Sequence, residues 1–404
     1  MSWEKVKLGD IAEFSNGVNF DKSAYAPGIK LISVSNFGNR FYPDYSELSE
    51  ISADAVKKND YLQHGDIVFV RSNGNKELVG RCMLIDNPPT HTTYSGFCIR
   101  ARVKDTTRFN PKFLTYHFKH DGFRIAMAGN AVGANIQNLS QGRLSAYIAH
   151  IPPIETQHRI ADTLSAYDDL IENNRKQIKL LEEAAQRLYK EWFVDLRFPG
   201  HEHTEIVDGV PEEWRIRAVS DFGEVITGKT PSTSKPEYYD GNIPFVTIPD
   251  MHNAIFPLST EKYLSEQGAN TQKNKFLPPD SVMVSCIATV GLVNIASERC
   301  QTNQQINSVI LKDKKDLYFF YFAMKRIKSL LDGVGSNGAT MTNVNKTKFE
   351  SIKILYPGKY LTNCFFEFSM PIFQKVLVLS KENQNLQQAC DRLLPKLMSG
   401  EVEV

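Results

Sequence analysis

The stretch that most constrains this chain runs from residue 154 to residue 192 and contains neither Pro nor Gly. Apolar or aromatic side chains recur along it at alternating steps of four and three, and the same alternation returns near the C-terminus. Such heptads predict two coiled-coil helices, the first about 55–60 Å long. The seam comprises Ile160, Leu164, Tyr167, Ile171, Asn174, Ile178, Leu181, Ala185, Leu188 and Trp192, and Ile372, Val376, Leu379, Asn383, Leu386, Cys390, Leu393 and Leu397.

Two asparagines, Asn174 and Asn383, occupy seam positions that are otherwise apolar or aromatic, apart from Cys390. A polar residue in a seam commonly fixes the register of the helices at some cost in stability. The alternative is a tolerated defect near a water-accessible edge.

The chain is an internal duplication. From about Pro111 onward, an offset of 205 residues superposes the first half on the second without gaps, pairing Asn138 with Asn343, Pro152 with Pro357 and Leu181 with Leu386. Both seams therefore belong to one repeat.

Short β-branched runs, bounded by Gly, Asn and Pro, match between the front parts of the two halves and read as strands. A helix is predicted after them in each half, over residues 111–128 and 316–331. The matched strand runs are 11–17 with 222–228, 29–34 with 243–248, and 66–70 with 281–285.

The predicted fold class is α+β, with two mainly β domains and two long helices. A 150-residue domain is about 40 Å across, so parallel helices would need a connection longer than one domain spans. We therefore predict an antiparallel coiled coil with a domain at each end and a pseudo-two-fold axis. The segments are 1–150 (domain 1), 151–200 (helix 1), 201–358 (domain 2) and 359–404 (helix 2).

Composition gives weak functional information. The net charge is +1, although residues 1–150 carry 18 Lys and Arg against 14 Asp and Glu, a bias compatible with DNA contact. No apolar window is long enough for a membrane span, and the N-terminus lacks the apolar core of a signal peptide. Six scattered cysteines fit free thiols in a reducing cytosol, so a cytoplasmic location is expected.

Motifs that could indicate catalysis are weak. Residues 87–90 resemble the Asn-Pro-Pro-aromatic loop of amino-methyltransferases, but Thr90 replaces the aromatic residue. Residues 333–338 spell G-x-G-x-x-G after a predicted helix instead of a strand. A nuclease-like pairing of Pro279-Asp280 with residues 313–315 has no equivalent in the first repeat. We predict no catalytic and no metal-ligating residues.

Recognition chemistry is instead predicted in polar loops at equivalent places in the two halves. Arg, Lys, Asn and Gln can read base edges, and Ser and Thr suit phosphates; the alternative for any one residue is an ordinary surface group. The candidates are Asn19, Lys22, Asn36, Arg40, Arg71, Asn73, Asn75, Lys76, Asn135 and Gln137 in the first repeat, and Lys229, Thr230, Ser232, Lys235, His252, Asn253, Asn303, Gln304, Gln305, Asn337, Thr340 and Thr342 in the second.

The pattern resembles the specificity (S) subunit of type I restriction–modification enzymes over essentially the whole chain. Two divergent domains alternate with two similar helices; residues 151–160, IPPIETQHRI, open the first helix, and residues 393–401, LLPKLMSGE, close the second. The second repeat departs from this pattern at residues 357–363, which leaves the start of its helix open over residues 359–371.

The resemblance implies a non-catalytic subunit. Each domain would read half of a split, asymmetric sequence in double-stranded DNA, and the helices would set the spacing and dock two methyltransferase (M) and two restriction/motor (R) subunits. S-adenosylmethionine, ATP and Mg²⁺ would be used by those partners, with no cofactor in this chain and no membrane contact. Residues 192–193 and the aromatics 365, 366 and 368 are candidates for M-subunit docking or for packing. The alternative functions are a stand-alone DNA methyltransferase or nuclease, and a coiled-coil scaffold that does not bind DNA.

Overall fold

The computed structural model describes residues 3–38, 40–73, 78–128, 137–252, 254–327 and 343–403. The chain forms two compact units. Unit 1 is Met1–Ile171 with Leu386–Val404, and unit 2 is Glu172–Asn385. Each unit therefore takes in a segment of both long helices, which differs from the four consecutive segments predicted above.

The globular part of unit 1 contains short strands and helices ahead of the first long helix. They are β1 (Glu4–Lys7), α1 (Leu8–Ile11), β2 (Ala12–Asn16), β3 (Tyr25–Ile32), β4 (Ser49–Ile51), β5 (Ile67–Val70), β6 (Ser72–Asn73), β7 (Cys82–Leu84), β8 (Thr92–Tyr94), β9 (Cys98–Val103), α2 (Pro111–Lys119), α3 (Asp121–Ala128), β10 (Gln137–Asn138), α4 (Gln141–Ala146) and β11 (Ile148–Ile151), followed by α5 (Ile154–Phe193).

The globular part of unit 2 follows a similar order, with additional elements at its start and after β17. Its elements are β12 (Ile206–Val207), β13 (Val210–Pro211), β14 (Arg215–Ala218), α6 (Val219–Phe222), β15 (Gly223–Thr227), β16 (Tyr239–Val246), β17 (Lys262–Leu264), α7 (Glu266–Asn270), β18 (Val282–Ser285), β19 (Val293–Ile295), β20 (Gln301–Thr302), β21 (Ile306–Leu311), α8 (Leu317–Lys325), α9 (Lys346–Glu350) and β22 (Lys353–Tyr356), followed by α10 (Lys359–Ser399).

The two main sheets have the same topology in both units. Unit 1 has an antiparallel sheet of order β2-β9-β5-β7 and a three-stranded sheet β4-β3-β8 in which β3 and β8 are parallel. Unit 2 has β15-β21-β18-β19 and β17-β16-β20, with the parallel pair at β16 and β20. A two-stranded antiparallel ribbon, β1 with β11 and β14 with β22, precedes each long helix. The duplication seen in the sequence is thus a duplication of topology.

The cores sit between the four-stranded sheets and the helices. In unit 1, Ile67 and Phe69 of the central strand β5 pack with Phe113 of α2 and with Leu164 of α5. In unit 2 the core includes α8, whose eight residues from Leu317 to Met324 are all buried. Burying each large apolar side chain contributes about 1.5–3 kcal/mol, so these cores are the main stabilising term of each unit.

The long helices pair in antiparallel order, as predicted. In unit 1 the first part of α5, with Leu164, shares a core with Leu397 near the end of α10. In unit 2 the last part of α5 meets the first part of α10, where the ring centroids of Trp192 and Phe365 are 5.9 Å apart.

Of three predicted helices, one differs from the structure, one extends beyond the described residues, and one begins where its predicted segment begins. The helix predicted over 111–128 is broken at His120, whose backbone is extended and whose ring accepts from the amide of Gly122. The helix predicted from 316 is described only over Leu317–Lys325 and Ile327, since residues 328–342 lie outside the described ranges. The second long helix begins at Lys359, the first residue of the predicted segment 359–404, and not as late as Pro371.

Pro371 therefore lies inside α10, and packing explains why the helix continues through it. Pro371 itself is exposed, while Phe365 and Phe373 on either side of it are buried in the core of unit 2. A proline inside a helix costs about 3 kcal/mol, and burying two aromatic side chains recovers that amount or more.

Candidate nucleic-acid interface

Two of the predicted loops of unit 1, those that contain Asn19 and Arg71, contact a turn of residues 95–97 that joins β8 to β9. The backbone of this turn is fixed by hydrogen bonds on both sides: the amide of Gly96 donates to the carbonyl of Val18 (2.7 Å) and the amide of Arg71 donates to the carbonyl of Phe97 (2.8 Å). The amide of Cys98 closes the turn on Ser95. The turn is thus a rigid centre for the loops around it.

Two candidate side chains lie against this turn. Nη1 of Arg71 donates to the carbonyl of Gly96 at 3.1 Å. A Cβ atom on Gly96 would lie 2.0 Å from Oδ1 of Asn19, so the Asn19 side chain lies directly over this glycine. Asn73 is close in sequence to Arg71 and belongs to β6, which pairs with the β10 residue Gln137.

Unit 2 builds the equivalent place from different side chains. The turn before β21 is residues 303–305, and the amide of Cys286 donates to the carbonyl of Gln305 (2.8 Å), as Arg71 does to Phe97 in unit 1. Oγ1 of Thr230 donates to Oε1 of Gln304 at 2.7 Å, and Nδ2 of Asn303 donates to Oε1 of Gln305 at 3.0 Å. Lys229 is exposed beside them.

A glycine permits the close backbone approach beneath each cluster. A Cβ on Gly17 would lie 2.3 Å from the carbonyl oxygens of Tyr94 and Ser95. A Cβ on Gly228 would lie 2.1 Å from the carbonyl oxygen of Asn303. Real Cβ atoms do not approach oxygen so closely, so both loops require glycine where they cross the strand that precedes the turn.

Other candidates make local contacts of their own. Oδ1 of Asn36 accepts from the amide of Ser33 (2.8 Å) and so caps its own turn. Arg40 forms an ion pair with Asp44 at 3.1 Å. Nζ of Lys235 donates to Oη of Tyr238 and lies 5.0 Å from that ring.

The remaining candidates are less defined by contacts. Lys22 and His252 are exposed, and Oγ of Ser232 bonds with Oγ of Ser234 at 2.8 Å. Several predicted residues lie outside the described part of the chain, as does the side chain of Gln137: Asn75, Lys76, Asn135, Asn253, Asn337, Thr340 and Thr342.

Sequence reasoning missed the turn of residues 95–97. The offset of 205 that aligns the helices becomes 208 at β9 and β21, because Cys98 and Ile306 begin equivalent strands. With that shift, residues 95–97 align with the predicted residues 303–305. The signal that could have found the turn is therefore the repeat itself, once an insertion is allowed.

The predicted seam residues are all buried or half-buried. Asn174 and Asn383 both belong to unit 2. Asn174 lies five helical turns before Trp192 on α5, and Asn383 lies five helical turns after Phe365 on α10. Because Trp192 contacts Phe365 and the helices are antiparallel, the two amides lie at the same level of the helix pair. Within the described residues, Nδ2 of Asn174 and Oδ1 of Asn383 are buried without a hydrogen-bond partner.

The aromatic residues considered for docking are mostly internal. Trp192, Phe193 and Phe365 are buried in the core of unit 2, and Phe366 is half-buried beside it. Phe368 is exposed. Trp192, Phe193 and Phe365 therefore pack the helix ends into the core of unit 2.

Shifted pKa values reflect burial in the cores. Burial raises the pKa of the Cys82 and Cys286 thiols to about 11 and that of the Cys98 thiol to about 12. A thiol with a raised pKa is a poor nucleophile at neutral pH. Among the described residues, no group of three or more His, Cys, Asp or Glu is placed to hold a metal ion, and no helix is long and apolar enough to span a membrane.

Comparison with known protein families identifies the family to which the chain belongs. The model of the type I restriction modification DNA specificity domain matches residues 1–183 and again 211–360. The chain belongs to this family. The two matches coincide with the two repeats, and each includes one of the two loop clusters described above.

Individual relatives agree along the whole chain. The chain is 30% identical to the type I restriction enzyme HindI specificity subunit of Haemophilus influenzae, covering 99% of each. It is 26% identical to the putative type I restriction enzyme MjaX specificity subunit of Methanocaldococcus jannaschii, covering 100% of this chain and 94% of that protein.

A solved structure supports the fold. The type I restriction–modification S subunit from M. genitalium superposes with a TM-score of 0.57 at 16% identity, covering 98% of this chain and 96% of that one. The chain is therefore a DNA specificity subunit of a type I restriction–modification enzyme. As a member of this family it is non-catalytic, and it acts by binding DNA and assembling with other subunits.

Proposed function

We propose that each of the two loop clusters reads one half of a split, asymmetric target in double-stranded DNA. The observation that carries this proposal is that the two clusters have the same backbone construction and different side chains. In unit 1 the turn is surrounded by Asn19 and Arg71, whereas in unit 2 it is formed by Asn303, Gln304 and Gln305. One scaffold with two sets of side chains is what reading two different sequences requires.

The side chains suit base recognition. Arg can donate two hydrogen bonds to guanine O6 and N7, and Asn or Gln can bond adenine N6 and N7. Hydrogen bonds to Gly96 and Thr230 orient Arg71 and Gln304 before DNA arrives, which lowers the entropy lost on binding. Lys229, exposed next to its turn, suits a phosphate.

The paired helices α5 and α10 set the distance between the half-sites and dock the other subunits. We propose two methyltransferase and two restriction/motor subunits as partners. S-adenosylmethionine, ATP and Mg²⁺ are used by those partners, with no cofactor bound by this chain, and the complex works in the cytoplasm. The support for this part is the family membership and the continuous helix of 40 residues in α5.

Two substitutions test the reading of DNA, with the chain bound to its methyltransferase partner. Arg71→Ala lowers affinity for the full target and relaxes specificity in one half-site, costing about 1–3 kcal/mol. Lys229→Ala weakens binding to all sequences and reduces the salt slope by about one. Arg108→Ala is the matched control, because Arg108 is exposed and pairs with Glu4 away from the turn.

The outcomes separate the alternatives. Methyl transfer by the purified chain without a partner would contradict a non-catalytic role. Equal DNA binding by the methyltransferase alone and by the complex would favour a scaffold that does not contact DNA. If Arg108→Ala lost as much specificity as Arg71→Ala, the proposal that the unit 1 loop cluster reads a half-site would be contradicted.

The spacing role has its own test. Residues 172–178 of α5 and 379–385 of α10 occupy matching levels of the antiparallel pair, so deleting both heptads keeps the seam continuous. Methylated sites in this variant are expected to show a changed spacer and unchanged half-sites. A changed half-site with the original spacer would contradict the proposal.

A further inference from the structure

We propose that Phe97 makes a direct apolar contact with a base in the half-site read by unit 1. The inference rests on the proposed function of the unit 1 loop cluster and adds to it the residue that carries apolar readout. Phe97 is 62% exposed and lies at the end of the turn of residues 95–97. A single exposed phenylalanine is common on protein surfaces, so exposure alone does not indicate a function. The position of Phe97 is therefore what points to a DNA contact.

The position of Phe97 is fixed by its backbone. Its carbonyl accepts from the amide of Arg71 (2.8 Å) and from that of Ser72 (3.4 Å), and the residue before it, Gly96, donates to Val18 and accepts from the Arg71 guanidinium. These hydrogen bonds fix the position of the Phe97 backbone, and with it the direction of the Cα–Cβ bond that carries the ring. The ring therefore starts from a defined point at the end of the turn.

The neighbours of Phe97 are groups that suit DNA. Arg71 brings positive charge to within hydrogen-bond distance of Gly96, and the polar Asn19 side chain lies over the same glycine. The Phe97 side chain is exposed, whereas the aromatic residues Tyr94 and Phe69 are fully buried in the core. Apolar side chains contact DNA either at the thymine C5-methyl group or as wedges between base steps.

The repeat provides an internal comparison. The residue equivalent to Phe97 in unit 2 is Gln305, whose carbonyl accepts from Cys286 as that of Phe97 accepts from Arg71. One backbone position therefore carries an aromatic ring in one unit and an amide in the other. That difference is expected if this position distinguishes two half-sites, because an amide reads base edges by hydrogen bonds and a ring reads them by apolar contact.

The test uses the complex of the chain with its methyltransferase partner and fluorescent duplexes carrying the target found by methylome mapping. Phe97→Gln places the side chain of unit 2 in unit 1. It is expected to lower affinity for the target about 5- to 100-fold. Affinity for a duplex with the unit 1 half-site scrambled, and the salt slope, are expected to stay unchanged because no phosphate contact is lost. Ile125→Gln, at another exposed apolar residue of unit 1, is the control and is expected to change neither.

Two further arms identify the contact. If Phe97 contacts a thymine methyl group, replacing that thymine by uracil lowers the affinity of the wild type by the same factor as Phe97→Gln does. The same replacement leaves the affinity of the Phe97→Gln variant unchanged. For a wedge, 2-aminopurine in the half-site gains fluorescence on binding the wild type and not the variant. The inference is overturned if Phe97→Gln binds target and scrambled duplexes as the wild type does, or weakens both equally. Failure of the proposed function is different: the wild type would then bind both duplexes alike.

Discussion

His117 makes the stability of unit 1 sensitive to acid. It lies on α2 among the rings of Phe113, Phe118, Phe123 and Tyr147, with centroid distances of 5.9–6.4 Å. Burial lowers the pKa of His117 to about 4, with smaller contributions from the nearby histidines at positions 120 and 150. Its Nε2 has no hydrogen-bond partner among the described residues. The ring is therefore held neutral in the folded state.

The sign of the effect follows from linkage. The unfolded chain protonates this histidine near pH 6.5 and the folded chain near pH 4, so the unfolded state binds more protons between these values. Unit 1 is expected to lose stability as pH falls from 6.5 to 4. At 1.36 kcal/mol per pKa unit, the loss from this one group reaches about 3 kcal/mol, and it is absent above pH 7.

The matched variant is His117→Phe, because the repeat-equivalent residue in unit 2 is the buried Phe322. Urea unfolding of the full chain at pH 7, 6, 5 and 4.5 is expected to show the variant gaining stability relative to the wild type as pH falls. Comparing the two proteins removes the contribution of carboxylates common to both. Parallel pH profiles, or an imidazole resonance of His117 that titrates near pH 6.5, would refute the reasoning.

Three further predictions concern single contacts. Asp66→Asn removes a buried carboxylate that accepts two hydrogen bonds from Arg102 at 2.6 and 2.7 Å, and is expected to destabilise unit 1 by about 3–5 kcal/mol in urea unfolding; a loss below 1 kcal/mol would contradict the importance of this pair. Gly228→Ala is expected to abolish specificity for the unit 2 half-site while methylome mapping still finds the other half-site; an intact motif would contradict the close approach beneath the turn. Replacing Asn174 and Asn383 together by Leu is expected to raise the melting temperature, since it removes two buried amide atoms that have no partner, whereas Asn174→Leu alone is expected to gain less because Oδ1 of Asn383 stays unpartnered; equal gains from the single and double variants would contradict a cost from the Asn383 amide.

The helices were the most predictable part of the fold. The run without Pro or Gly predicts a helix over 154–192, and α5 spans Ile154–Phe193. Periodicity is a strong signal when a seam extends over several heptads. The start of the second helix was harder, because the sequence after Pro357 departs from the first repeat and left a start as late as Pro371 open beside the predicted segment 359–404. The packing of Phe365 and Phe373 decides that boundary, and packing cannot be read from local sequence.

The globular parts were predictable in outline only. Matched β-branched runs located the central strands β5 and β18, but β3 begins at Tyr25, before the predicted run, because an irregular pairing with β4 extends it. The candidate recognition loops were proposed from their polar composition and repeat position, and their role in binding DNA stays a prediction. Phe97 was not among the candidates because they were sought among polar side chains, whereas its exposure is set by the turn that carries it.

The most direct test of the account is methylome sequencing of a host that carries this chain with its methyltransferase partner. The expected result is one bipartite, asymmetric motif with a fixed spacer. Exchanging residues 303–305 and 229–230 for those of another family member should change one half of that motif and leave the other half and the spacer intact. A continuous motif, or a loop exchange that alters both halves together, would contradict the proposal that the two units of the chain read their half-sites independently.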